Sequence, residues 1–281
     1  MATSSRQRSA RARRRNSASD LGARIWIAIP AIAYAIVIIA LGDLWFAGGI
    51  LILGFVCIHE LFRMYEAYRP VRLAGFIGLI GLAAAAAFGG EHQVLLATVC
   101  VFPLIFLLGL MLPERSEVPL TDGMAITLLG TLWVGLALAH AILLRDLPHG
   151  GGLVVAILLG TFVGDTFAYL GGRAFGTRPL ALRISPNKTI EGLACGILGA
   201  ALAVWWYGLS SEWMGGVDGI LLGLLVGVLA PIGDLFESKV KRDAGTKDAG
   251  TLFGAHGGAL DRLDAAFFTL VGGYYLWLVL M

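Results

Sequence analysis

Charge is scarce in this chain. Only 14% of its 281 residues are Asp, Glu, Lys or Arg, where a soluble domain carries about a quarter. That leaves too few to solvate the surface of an ordinary water-soluble domain. Cysteine is scarce as well. Cys57, Cys100 and Cys195 each sit inside an apolar run, and no CxxC pair occurs. A disulfide framework and a zinc site are both disfavoured. There is no G-x-x-x-x-G-K-[ST] phosphate loop and no HExxH zinc helix. No internal repeat and no heptad array is found.

Apolar length is abundant instead. Hydrophobic residues make up 58% of the chain and the mean hydropathy is +0.81. Apolar runs of about 17–22 residues recur, long enough to cross a bilayer as helix. The 39 glycines suit close helix packing in lipid. The expected fold is therefore all-α, a polytopic integral membrane protein with about nine transmembrane helices. The spans are placed at 24–41, 45–62, 72–88, 93–112, 123–144, 151–171, 190–208, 217–236 and 262–280. With the N-terminus in the cytoplasm, the cytoplasmic segments are the tail, 63–72, 113–122, 172–189 and 237–262. With Arg24 at the border of the tail counted in, they hold every Lys and Arg except Arg145, which is the asymmetry the positive-inside rule demands.

Three regions follow. Residues 1–23 carry six arginines before residue 16 and no acid before Asp20, so they read as a disordered basic cytoplasmic tail that touches anionic lipid. An Arg- and Ser-rich, acid-poor start also resembles an organelle transit peptide. Residues 24–144 read as an N-terminal scaffold of five spans. Residues 145–281 read as a catalytic region of four spans, with cytoplasmic loops 172–189 and 237–262.

Those two loops carry the chemistry. "LLVGVLAPIGDLFESKVKR" sets Asp234, Ser238 and Lys241 at i, i+4 and i+7 on one helical face. Pro231 and Gly233 just before them predict a kink. A carboxylate at bilayer depth costs on the order of 2.5–3.5 kcal/mol unless paired or wet, which makes Asp234 a functional candidate. "DAGTKDAGTLFGAHGG" follows, with glycines that permit tight turns and close backbone approach to a ligand. Asp261 and Asp264 fall one turn apart at the next helix start, where acids also simply face the helix dipole. The earlier loop has Asp165 inside an apolar span, then Arg173, Arg178, Arg183 and Lys188. Ser185 before Pro186 ends one element there, and Thr189 and Glu191 open the next helix. Carboxylates, bases and glycines on one membrane face suit Mg²⁺ and phosphate oxygens, and hence phosphoryl or nucleotidyl transfer. His256 is a candidate phosphate contact. His59, at a span end, reads as an interfacial side chain, and His92, His140 and His149 read as incidental.

The stretch "SKVKRDAGTKDAGTLFGAHGGALDRLD", residues 238–264, closely resembles the signature of the phosphatidate cytidylyltransferases, the CDP-diacylglycerol synthases. The matching anchors are Ser238, Lys241, Arg242, Lys247, Asp248, His256, Gly257, Gly258, Asp261, Arg262 and Asp264. "DTFAYLGGRAFG" and "RISPNKTIEG" upstream are similar to that family too. The resemblance covers residues 160–265. Ala259, Gly254, Asn187, Ile190 and Lys239 depart from the usual pattern without removing a charged anchor.

The resemblance implies transfer of the cytidylyl group of CTP to phosphatidic acid, with pyrophosphate released. It implies catalytic roles for Asp234, Asp261, Lys247, Asp248 and Lys241. Substrate contacts fall to Ser185, Lys188, Ser238, Arg242, His256, Gly257, Gly258 and Arg262. Metal ligation falls to Asp234, Asp261 and Asp165. The cofactor is Mg²⁺, with a second cation as an option. The partners are CTP, phosphatidic acid and membrane lipid, not nucleic acid, and a homodimer is left open. The expected location is a bacterial inner membrane, with the active site facing the cytoplasm. Two rivals are a CTP-dependent lipid kinase and a divalent-metal transporter. A CDP-alcohol phosphotransferase needs D-G-x-x-A-R, which is absent.

Overall fold

The computed structural model describes residues 29–113, 117–250 and 257–281. The basic tail and His256 lie outside the described residues. Internal contacts divide the chain after Leu41 into Met1–Leu41 and Gly42–Met281. Of the first unit, helix α1, Ile29–Leu41, is described. The second unit begins with α2, Asp43–Met64, and a single 3-10 turn, Glu66–Tyr68. Next come α3, Arg72–Phe88, and α4, Glu91–Leu110. Helix α5, Leu120–Gly130, runs through a π-helical segment, Thr131–Leu136, into α6, Ala137–Asp146, so the three form one span. Helices α7, Gly150–Phe175, α8, Ile190–Leu209, α9, Gly216–Asp243, and α10, Leu260–Leu280, complete it.

Helix stands at each of the nine expected spans. Seven of these helical segments are long and apolar enough to cross a membrane, and α1 and α3 are apolar but shorter. The chain is an all-α polytopic membrane protein. Its outward side chains are apolar as lipid contact requires, with Trp206 and Val279 exposed. Ile58, Leu61 and Phe62 of α2, Leu82 of α3, Leu144 of α6 and Phe267 of α10 are fully buried.

Two details differ from the expected boundaries. Helix α9 does not stop at 236. It carries Pro231 in its interior and continues to Asp243, so the helical face expected for Asp234, Ser238 and Lys241 is formed and the helix runs on through Arg242 before the loop begins. Ion pairs one turn apart, Lys241–Glu237 and Lys239–Asp243, support these last turns. The second difference lies in 172–189. Beyond α7 the chain forms an antiparallel hairpin, β1, Pro179–Ala181, against β2, Ser185–Thr189. Glu191 braces it, accepting from Thr177 Oγ1 at 2.7 Å and from the Thr177 and Arg178 amides at 3.1 and 3.2 Å. Thr189 caps α8 by accepting the Gly192 N–H at 3.1 Å, so Thr189 and Glu191 do open that helix.

Small residues bring the last helices together. A Cβ on Gly227 would lie 2.7 Å from Ile197 Cα in α8, and one on Gly233 would lie 3.1 Å from Ala265 Cα in α10. Helix backbones touch directly there, as is usual in lipid. The contact at Gly233 matters most, because Asp234 is the next residue and Asp264 precedes Ala265. Close packing of α9 on α10 forces these two carboxylates toward one space. Helix α10 also packs on α2, α6 and α7.

Candidate active site

That space is a cavity of about 240 Å³. Asp165 of α7 lines it, with Asp234, Glu237 and Lys241 of α9 and Asp261, Arg262 and Asp264 of α10. Typical small-molecule pockets run to about 300–1,000 Å³. The cavity therefore suits the reacting end of a substrate rather than a whole nucleotide. Phe162, exposed on α7, and Ala265 form its apolar rim. A larger cavity, about 300 Å³, lies among Glu66, Arg69, Pro70, Arg72 and Leu112. Glu66 is its one acid, and it pairs with Arg72 at 3.0 Å.

Lys241 ties the site together. Its Nζ donates to Glu237 Oε2 at 2.5 Å and to Asp261 Oδ1 at 2.6 Å. The first partner shares its helix and the second begins α10. Lys188, carried on the hairpin, forms an ion pair with Asp234. Ser238 Oγ donates to Asp234 Oδ1 at 3.3 Å. Asp261 is held by more than lysine. Its Oδ2 accepts the Gly258 N–H at 2.6 Å and the Ala249 N–H at 3.0 Å. An acid in a helix's first turn that reaches back three residues does half the work of a capping box. Asp261 is thus both a cap for α10 and a wall of the cavity.

The expected site residues fall into two groups. Asp165, Asp234, Lys241, Asp261 and Arg262 line the cavity, and Lys188 and Ser238 reach it through Asp234. Gly257 and Gly258 sit beside Asp261. Gly257 has φ +79°, and a Cβ there would lie 3.1 Å from Asp261 Cγ, so backbone conformation alone already demands glycine. The rest stand apart. Lys247 and Asp248 are exposed. Arg242 is exposed and donates to the Thr246 carbonyl at 3.4 Å. Ser185 begins β2, at the end opposite Thr189.

Sequence reasoning missed Glu237, and it counted Asp264 as an anchor of the resemblance without giving it a place in the site. Both are buried, at 1% and 8% exposure. The spacing held a signal for Glu237, because position 237 is three residues beyond Asp234 on the same helical face. The one-turn spacing from Asp261 placed Asp264 on the same helical face, but its neighbours in the cavity are decided by α9.

Five carboxylates and two bases line the cavity. Such an excess of acid in a partly buried space is relieved by a cation. The donors are all oxygen, which suits Mg²⁺. Among the described residues no three His, Cys, Asp or Glu side chains are grouped as a ready metal cage. Glu237 Oε1 is buried without a hydrogen-bond partner among the described residues.

Comparison with known proteins narrows the chemistry. An uncharacterized protein of Escherichia coli, YnbB, is 38% identical over 151 residues, 52% of this chain and 51% of that protein. Phosphatidate cytidylyltransferase 5, chloroplastic, of Arabidopsis thaliana is 46% identical over 120 residues, 41% of this chain and 30% of that one. The chain thus spans about half or less of the length of these two relatives. A phosphatidate cytidylyltransferase of Mycobacterium bovis is 30% identical over 255 residues, 80% of this chain and 78% of that protein. Residues 22–280 match the cytidylyltransferase family, and the chain belongs to that family.

Proposed function

We propose that the protein transfers the cytidylyl group of CTP to phosphatidic acid, giving CDP-diacylglycerol and pyrophosphate. Family membership and relatives named phosphatidate cytidylyltransferase support this reading. The observation that carries it is the acidic cavity lined by α7, α9 and α10, where Lys241 links Asp261 to Glu237 and Lys188 meets Asp234.

The reaction needs little from a general base. A phosphomonoester oxygen of the lipid, already anionic near neutral pH, forms a bond to the α-phosphorus of CTP. The α–β phosphoanhydride bond breaks, and pyrophosphate departs with the electron pair. What remains for the protein is positioning and neutralisation of charge. Lys241 and Lys188 are placed to exchange carboxylate partners for phosphate oxygens, and Arg262 adds a second cationic wall. Exchange suits a site that must bind and release polyphosphate, since each lysine keeps a partner in both states.

Asp234 and Asp165 would hold Mg²⁺. Asp261 would join them once Lys241 turns to a phosphate, because its oxygens now accept from Lys241, Ala249 and Gly258. When bound, Mg²⁺ supplies neutralisation of the triphosphate and of the leaving pyrophosphate. The apolar rim at Phe162 gives acyl chains a lipid-side approach. The loops carrying Lys188 and Lys247 face the cytoplasm in this reading, and a bacterial plasma membrane is the setting.

The test is purified protein with phosphatidic acid, Mg²⁺ and CTP labelled at the α- or the γ-phosphate. Label from the α-position should enter the lipid phase, with pyrophosphate released in step. Entry of γ-label, with CDP left behind, would mean a lipid kinase. Chelation of Mg²⁺ should stop turnover, and readdition should restore it.

A further inference from the structure

An acid is buried in the half of the chain whose composition reads as scaffold. Glu60 lies on α2 at 6% exposure, beside the fully buried Ile58, Leu61 and Phe62. A carboxylate in such surroundings requires hydrogen-bonded compensation. One of its two oxygens finds a partner at the other end of the chain, while Oε1 is buried without one among the described residues. Glu60 Oε2 accepts the Leu260 N–H at 2.9 Å. That amide is in the first turn of α10, where N–H groups have no partner within their own helix.

The same carboxylate occupies the space a side chain would need at two glycines. A Cβ on Gly250 would lie 2.5 Å from Glu60 Cδ, and one on Gly258 would lie 2.6 Å from Glu60 Oε1. One turn farther along α2, the Thr246 hydroxyl lies 3.5 Å from Met64 Sδ, and Tyr65 donates to the Val240 carbonyl at 2.8 Å. The end of α2 therefore touches the end of α9, the connection after it and the start of α10.

The geometry points to Glu60 as a positioning residue of the reaction centre. Its carboxylate pins Leu260 and packs close against Gly250 and Gly258, so that Asp261, the next residue after Leu260, meets Lys241 and the cavity. Glu60 does not line the cavity. It acts through Leu260, Asp261 and Lys241, each of which touches the next. The inference rests on the cytidylyltransfer reading for what the centre does, but the latch itself is structural and can be measured separately.

The test compares Glu60→Gln with Glu60→Leu in the full-length protein. Gln keeps an oxygen acceptor for Leu260, whereas Leu keeps the volume and removes the acceptor. Hydrogen–deuterium exchange over residues 257–262 is read beside kinetics with CTP and phosphatidic acid. The Leu variant should exchange faster at Gly258 and Leu260. It should lose on the order of a hundredfold in kcat/KM for CTP, the scale of a misplacement of about 1 Å, with KM for phosphatidic acid unchanged. The Gln variant should stay close to wild type in both readouts. Equal behaviour of the two variants, or wild-type exchange in the Leu variant, overturns the latch and leaves Glu60 as mere filling. If the Leu variant does not fold, Glu60→Asp carries the test. It keeps the charge but falls short of Leu260, so wild-type exchange and kinetics there overturn the proposal equally. A wild type that forms no CDP-diacylglycerol refutes the reaction reading alone, and the exchange comparison still decides the latch.

Discussion

Lys241→Met separates what a lysine does for the fold from what it does for the reaction. Lys241 has a side chain 14% exposed, between Glu237 at 1% and Asp261 at 11%. Methionine is unbranched and one atom shorter, and it leaves two nearly buried carboxylates without a countercharge. Removing one partner of a buried pair typically costs about 3–5 kcal/mol. Asp261 keeps the Gly258 and Ala249 amides, so most of the damage falls on Glu237, and the lower end of that range applies. In thermal unfolding of detergent-solubilised protein this means a loss on the order of 10 °C. The second change, Glu237→Gln, removes the stranded charge. The double variant should therefore regain most of its thermal stability. It should not regain CDP-diacylglycerol formation, because no cation is left to receive a phosphate at that position. The coupling between the two sites is read from the double-mutant cycle. A Lys241→Met single variant as stable as wild type would show that the bridge carries no stability. Recovery of turnover in the double variant would remove Lys241 from the reaction altogether.

Asp234→Asn should leave the protein folded, since Lys188 can still meet the amide oxygen and the Ser238 hydroxyl can accept from the amide NH2, yet lower turnover at least about a hundredfold; full activity would end the metal assignment. Gly258→Ala should cost about 1–3 kcal/mol through overpacking against the Glu60 carboxylate, seen as a lower unfolding temperature, and an unchanged temperature would mean that the loop yields easily. Gly257→Val should also fail. Its failure would not identify a phosphate cradle, because the positive φ excludes a β-branched residue with or without ligand. For topology, single cysteines at Glu212 and Asp243, beyond one end and at the other end of α9, in a chain freed of its native cysteines, should label from opposite sides of the membrane. Labelling of both from one side would overturn the assignment of loop 237–262 to the cytoplasm with the α8–α9 connection outside.

The spans were legible because a long apolar segment in lipid has few options. Every backbone polar group must be satisfied within the segment, and a helix is the structure that does so. The charged stretch from Ser238 to Asp264 was legible for a related reason, since polar residues kept between two such spans need a use. The spacing of Asp234, Ser238 and Lys241 also predicted a shared face, and in α9 Ser238 meets Asp234 as that periodicity requires. Periodicity, however, describes the face of one helix and is silent about which helix lies opposite. The pairing of Lys241 with Asp261 depends on backbone contact between α9 and α10, that of Lys188 with Asp234 on the packing of α8 against α9, and that of Glu60 with an amide 200 residues away on the reach of α2 to the start of α10. Those contacts are set by small residues such as Gly233 and by packing over long separations. Tertiary structure therefore decided which acids form the site, drew Glu237 and Asp264 into it, and left Lys247 and Asp248 at the surface.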